Sequence, residues 1–391
     1  MIIRKLTSIE DRVWASLSNN LAFGGRRSME DIRKQVEENP STHDDWGCFT
    51  DDGRMMAHVQ NEHRLTMFDG HEVYTGCIGC VSTFPEYREG GAVRSIFTEQ
   101  LFPDAYANGE VFSYLFPFKH AFYRKFGYET CGELPVYRFP VTALNGRHFT
   151  GWAKMWLPGD DVSEHTALYS EFAKKYNQAH VRTVEEMKGR IHSDPFESRR
   201  YTYLLGNDKP CAFVTFASRH ENGRSTIDVQ DCAWLGKEGM DAMLGFLARY
   251  TADYYDICIR MPSNIRLAYL IPDGKALNAG AHNVYMARLI NTKKALEMLE
   301  KPAGACFTIE VSDTLIPENA GTWRVDGDKV EKCDAEADIS VSVTALAPML
   351  LGYIGLEMAE LRDDVKVNGN REVLEKVFVE KPHYLTPADH F

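Results

Sequence analysis

Residues 87–97 read YREGGAVRSIF, and this stretch restricts the fold more than any other. It follows an extended apolar run, CVSTFPEY, and passes into a helical pattern expected to continue to about Pro103. A strand that ends in two glycines and restarts as a helix leaves unpaired N–H groups and a partial positive charge at the helix start. Gly90 and Gly91 let the backbone approach a guest closely, and Arg88 and Arg94 add charge at the spacing Arg-x-x-Gly-x-x-Arg. Phosphate is the natural guest of such a turn. Spacing alone does not separate that role from an ordinary turn. Two nucleotide motifs are excluded: there is no Gly-x-x-x-x-Gly-Lys-Ser/Thr, and no Gly-x-Gly-x-x-Gly follows the first extended run.

The pattern around this turn is α+β. MIIRKL reads as a strand, residues 8–23 as a helix capped by Ser8, and 28–40 as a second helix opened by Ser28. Residues 45–84 are extended runs broken by Asp-Gly pairs at 52–53 and 69–70, the signal of hairpins. VFSYLFPF (111–118) is strand-like, and 119–129 is a short helix ended by Gly127. Together 1–150 form a layered domain. A second region, 151–284, repeats the rhythm, with helices over 163–179, 183–192 and 238–250 and strands near 200–206, 211–217, 225–233 and 255–261. It lacks an Arg-x-x-Gly turn and reads as a degenerate copy that shapes a shared cleft. The third region, 285–391, has a helix over 286–300, alternating strands, and helices over 345–362 and 370–380. Its run APMLLGYIGLEMA is either core, the commoner use of such a stripe, or the wall of a ligand groove.

The length, 391 residues, fits two or three domains, and 44% hydrophobic with 26% charged residues is ordinary for folded domains. A net charge of -12 excludes a general nucleic-acid binder and leaves room for a cationic small substrate. No signal peptide and no membrane span are expected. Nine scattered cysteines fit a reduced cytoplasm. Cys77 and Cys80 are the one close pair, and on a regular strand residues three apart face opposite sides, so no metal is expected.

VSTFPEYREGGAVRSIF followed by SYLFPFKHAFYRKFGYE resembles the GCN5-related N-acetyltransferases (GNAT). With a second GNAT-like region and a C-terminal region similar to sterol carrier protein, the resemblance covers the chain and points to the Eis-like (enhanced intracellular survival) branch. It implies two GNAT-like mixed-sheet domains in tandem plus an α+β sterol-carrier-like domain. It also implies acetyl-CoA as cosubstrate, held by Val81, Ser82, Thr83, Arg88, Glu89, Gly90, Gly91, Ala92 and Arg94. Val93 departs from the small residue many members carry there.

The resemblance further implies that Tyr123, four residues before Gly127, protonates the departing thiolate, and that the terminal carboxylate of Phe391 helps to activate the amine. A phenol near 10 and a thiol near 8.5 differ by about 1.5 units, roughly 2 kcal/mol. Direct transfer from an ammonium to a carboxylate would cost about 9 kcal/mol, so the carboxylate is expected chiefly to orient the amine and help remove its proton in a desolvated cleft. Tyr128 follows the glycine and is expected to pack. His390 and Asp389 adjoin the terminal residue and are open candidates. A Cys80 acyl-enzyme is the competing chemistry, without an evident His partner. The acceptor is expected to be a primary amine of an aminoglycoside, a polyamine-like compound or a lysine; the family's acidic pocket residues do not match one by one in 19–40. The resemblance implies a homohexamer. A non-catalytic protein that binds a small molecule or lipid in its C-terminal domain is the alternative.

Overall fold

Ser8 and Ser28 start helices as their positions predict. Each side chain accepts a backbone N–H at 3.1 Å, from Asp11 and Asp31, opening α1 (Ile9–Ala22) and α2 (Met29–Glu38). The structure, a computed structural model, describes residues 1–39, 43–221, 223–386 and 389. Phe391 and His390, expected near the chemistry, lie outside the described residues.

The extended runs become β1 (Ile2–Lys5), β2 (Asp44–Phe49), β3 (Met55–Phe68), β4 (His71–Thr83), β5 (Phe112–Leu115) and β6 (Glu129–Pro140). The second region supplies β7 (Trp152–Met155), β8 (Arg200–Gly206), β9 (Pro210–Glu221), β10 (Arg224–Trp234), β11 (Asp256–Arg260) and β12 (Asn278–Leu289). The two halves share one 12-stranded sheet, ordered β1-β2-β3-β4-β5-β12-β6-β11-β10-β9-β8-β7. Each half lends a strand to the other. β6 follows β5 in the chain but pairs with β11, and β12 follows β11 but pairs with β5. Parallel pairs occur once in each half, at β4–β5 and β10–β11. A second sheet, β13 (Cys306–Ser312), β14 (Gly321–Asp326), β15 (Lys329–Lys332), β16 (Ile339–Ser342) and β17 (Val365–Val367), carries the C-terminal region in the order β15-β14-β13-β16-β17.

Four expectations change. Met286–Leu289 is strand, and the helix runs only over Thr292–Met298. Tyr285 through Leu289 are fully buried between β5 and β6, and a strand covered on both faces has the same continuous apolar pattern as a buried helix. The helix after Gly91 passes Pro103 and ends at Ala107. A π-wound turn, Ile96–Leu101, lies just before that proline and absorbs its missing N–H. The stretch 163–179 is helical only to Ala173; beyond it Gln178 N–H donates to Met67 O and ties the halves together. The stretch 345–362 is two helices, Val343–Leu350 and Leu356–Ala359, and its run APMLLGYIGLEMA is largely core: Ala347, Pro348, Met349, Leu350, Leu351, Leu356 and Ala359 are buried. No helix among the described residues is long and apolar enough to cross a membrane.

The chain leaves the C-terminal region as a strap along both halves. Asn177 N–H donates to Pro382 O at 2.9 Å, and His383 N–H donates to Ser263 Oγ at 2.9 Å. Tyr384 is buried against the rings of Phe172 and Tyr176.

Candidate functional site

β4 and β5 pair only from Thr75–Ile78 against Phe112–Leu115, after which β5 stops and β4 runs on to Thr83. A bulge at the fork, where Cys80 takes a φ of 52°, interrupts the pairing of β4 with β3 between His58 and Gln60. Beyond it, Phe84 N–H donates to Met56 O at 3.0 Å. Strand alternation then turns the N–H groups of Thr83 and Val81 to the opposite edge, past the point where β5 ends. Ser82 faces elsewhere. Its hydroxyl lies 2.9 Å from Ser18 Oγ and donates to Asn19 Oδ1 at 2.8 Å. The same Asn19 oxygen meets His58 Nδ1 at 3.3 Å, and His58 Nε2 lies 2.8 Å from Asp45. This buried network fastens α1 to β4, so only backbone is offered to the fork.

The open edge continues through a tight turn, Pro85–Tyr87, into Arg88, Glu89, Gly90 and Gly91. Gly91, at φ 81°, caps α3 (Ala92–Ser95), which passes without a break into Ile96–Leu101 and Phe102–Ala107. Ser95 N–H closes onto Gly91 O at 2.9 Å. Among the described residues, the N–H groups of Glu89, Gly91, Ala92, Val93 and Arg94 have no protein acceptor. Arg88 and Arg94 are exposed and have no ion-pair partner among the described residues. Ala92 is buried and Val93 packs against the core beneath, so the bulky Val93 leaves the outward backbone bare. Glu89 holds a φ of 66°. Non-glycine residues in that region cost of order 1 kcal/mol each, and here two of them, Cys80 and Glu89, bracket the same edge.

Tyr123 stands on the short helix His120–Arg124 in the cluster that also contains Ile78, Ala92 and Leu115, with Val81 and Val93 packed against it. Its ring is held edge-on by Phe118 and Phe122, with centroids at 5.5 and 5.1 Å. Burial pushes its phenol well above the ordinary tyrosine value, and its hydroxyl makes no hydrogen bond among the described residues. Tyr128 is core. It shares a hydrogen bond with Ser113 at 2.7 Å and packs on Phe97 and Phe102. Burial pushes the Cys80 thiol up to about 11, which suits a nucleophile poorly. The bulge at Cys80 also breaks the regular alternation on which the opposite-face reading of Cys77 and Cys80 rested. Among the described residues no group of three or more His, Cys, Asp or Glu could hold a metal.

Near the end of β4, Trp14 meets Phe84 edge to face at 6.1 Å. Both line a cavity of about 540 Å³ with Leu17, Leu21, Arg27 and Met29, and no carboxylate of the described residues lines it.

Asp389 supplies the feature that the sequence alone conceals. It is fully buried, and Arg182 donates to it from Nε at 3.0 Å and Nη2 at 3.1 Å. Arg190 Nη2 lies 2.9 Å from the same carboxylate. Arg182 also donates to Asp231 Oδ2 at 2.6 Å and stacks over the Tyr169 ring at 3.7 Å. These guanidinium groups outweigh the desolvation of the Asp389 carboxyl and hold it well below the usual carboxylate range. His180 Nδ1 lies 3.8 Å from Asp389, and its Nε2 lies 4.0 Å from Cys77 Sγ on β4. The strap is therefore fixed beside β4, and two further residues reach about 7 Å at full extension. Cys80 lies about 10 Å along the strand from Cys77.

Residues 3–131 match the acetyltransferase (GNAT) domain family and 292–386 the sterol carrier protein domain family. An uncharacterised N-acetyltransferase of Streptomyces coelicolor is 24% identical over 375 residues, 88% of each chain. In fold, the chain is similar to Eis1 from Mycobacterium abscessus, with a TM-score of 0.83 at 21% identity over 100% of both chains. A GCN5-related N-acetyltransferase from Anabaena variabilis gives 0.84 at 18% identity, covering 98% of this chain and 100% of that one.

Proposed function

We propose that this chain, whose residues 3–131 match the GNAT acetyltransferase domain and 292–386 the sterol carrier protein domain, transfers acetyl from acetyl-CoA to a primary amine by direct attack. The observation that carries this reading is the open edge of β4, which leads through the turn Pro85–Tyr87 to five N–H groups at a helix start that have no protein acceptor among the described residues. A diphosphate fits the amides of Glu89 and Gly91–Arg94, with Arg88 and Arg94 free to pair with it. The pantetheine arm fits the amides of Val81 and Thr83, and the thioester brings the activated acyl group to the fork. Residues of this chain then align the amine and handle its proton, and proximity supplies most of the acceleration.

Tyr123 supports the departing sulfur in a modified way. Its raised phenol is neutral at any working pH and is a weaker acid than free tyrosine, so full transfer to a thiolate costs more than the 2 kcal/mol estimated above. Donation of a hydrogen bond to the sulfur is the better-suited role. The Phe391 carboxylate is the group we assign to the amine, and the ion pairs of Asp389 support that assignment by anchoring the chain two residues before its end.

The largely apolar cavity beside Phe84, without a lining carboxylate among the described residues, favours a monoamine with an apolar or aromatic body over a polycationic aminoglycoside. The sequence resemblance also carries over a homohexamer, which light scattering checks directly. The test of the mechanism adds a few residues after Phe391. Turnover in a thiol-release assay is expected to vanish while CoA affinity stays near normal, and unchanged turnover would remove the carboxylate from the mechanism. An amine panel in the same assay should rank aromatic monoamines above aminoglycosides.

A further inference from the structure

The second half of the chain contains a cavity of about 450 Å³ lined by Arg190, Arg200, Arg219 and Arg260, with Asp228 and Gln230. We propose that this cavity is a binding site for a phosphoryl dianion, separate from the cradle at Gly91. Among the described residues the charges around it do not balance. Asp228 pairs with Arg219 at 2.5 Å and with Arg260 at 3.1 Å. Arg190 shares Asp389 with Arg182, and Arg182 holds Asp231. Five guanidinium groups thus stand against three carboxylates, an excess of two positive charges in a chain whose net charge is -12.

Arg200 is the uncompensated member. It is half-buried and its guanidinium makes no ion pair among the described residues. Burial disfavours its charge, and Arg190 and Arg182 repel it; only Asp231 opposes this. Among the described residues, the Nε–H groups of Arg190, Arg200 and Arg260 are all buried without an acceptor. A buried donor left without its bond is costly, so three around one cavity describe a place prepared for an acceptor. A carboxylate brings one charge; a phosphoryl group brings close to two at neutral pH and oxygens directed several ways. Arginine forks suit that geometry. The cavity also lies at the bulge of β10 between Val229 and Asp231, where this half has its parallel fork with β11. That is the counterpart of the bulge at Cys80 in the first half.

The test is calorimetry on the full chain saturated with CoA, so that the first cradle is filled. Inorganic phosphate is titrated, then ribose 5-phosphate. Saturable binding is expected, weakened at least tenfold, about 1.4 kcal/mol, by Arg200→Gln. Arg219→Gln, at a side chain 53% exposed, should weaken it too without endangering the fold. Tighter binding of the ester assigns the site to a phosphorylated metabolite, and equal affinity assigns it to the free anion. Absence of saturable heat overturns the proposal, as does binding that both substitutions leave unchanged. Binding that appears only after removal of residues 390–391 also overturns it, because the cavity would then serve the chain's own end.

Discussion

Replacing Asp389 with asparagine tests whether its ion pairs position the chain end for chemistry. Arg182 is 3% exposed and Asp389 1%, so the pair is desolvated. Two cations, Arg182 and Arg190, balance two anions, Asp231 and Asp389, and the substitution leaves one positive charge without a partner. Breaking a buried pair by removing one partner costs about 3–5 kcal/mol. Asparagine keeps the shape and one acceptor, so the lower figure applies. About 3 kcal/mol moves the docked-to-released ratio of the last residues by roughly a hundredfold. The loss should stay local, because Tyr384 remains buried between Phe172 and Tyr176 and His383 N–H still holds Ser263. Steady-state assays should therefore show kcat lowered by up to about a hundredfold with KM for acetyl-CoA within about twofold. Combining Asp389→Asn with the C-terminal extension should add nothing further, since both act through one carboxylate. Full additivity, or equal losses in kcat and in CoA affinity, would refute the positioning role. An inactive extension with a fully active Asp389→Asn would spare the carboxylate and sink the ion pairs alone.

Tyr123→Phe removes a hydroxyl that no group of the described residues holds, so the melting temperature should barely move while kcat falls about 10²-fold, and an unchanged kcat would take the phenol out of the mechanism. Gly91→Ala meets no atom within 4 Å, so its whole cost is the left-handed backbone at φ 81°, about 1 kcal/mol and roughly fivefold in CoA affinity by calorimetry. Wild-type affinity there would mean the N-cap is not the cradle. Denaturation at a series of pH values should show losses on both sides. Burial lowers His165 and His180 to about 4, so the unfolded chain takes up protons first and stability falls as pH drops from about 6.5 toward 4. His63 behaves oppositely: Glu110 at 2.9 Å and Asp44 at 3.0 Å raise it to about 9 against burial, so its contribution is lost as pH rises from about 6.5 through 9. His165→Gln should flatten the acid limb, and an unaltered acid limb would contradict its buried neutral state.

What the sequence discloses about this chain follows from how far apart the cooperating residues are. The cradle is written in consecutive residues, and Gly91 needs only its own φ and the helix after it to expose five amides, so a local pattern suffices. Helix caps at Ser8 and Ser28 are equally local. β12 defeats the same reasoning, because its apolar run owes its form to β5 and β6, more than a hundred residues earlier in the chain. Arg182 and Asp389 are separated by 207 positions, and an arginine ahead of a helix reads as a solvated surface cation until the returning strap buries it. Arg200 and Arg219 look equally ordinary in sequence. Only the pairing of β8, β9, β10 and β11 into one sheet gathers them with Arg190 and Arg260 around one cavity. In the first half the fork of β4 and β5 leaves amides bare, and bare amides are legible as glycine. In the second the sheet leaves guanidinium groups uncompensated, and a charge excess of that kind exists only once the chain has folded.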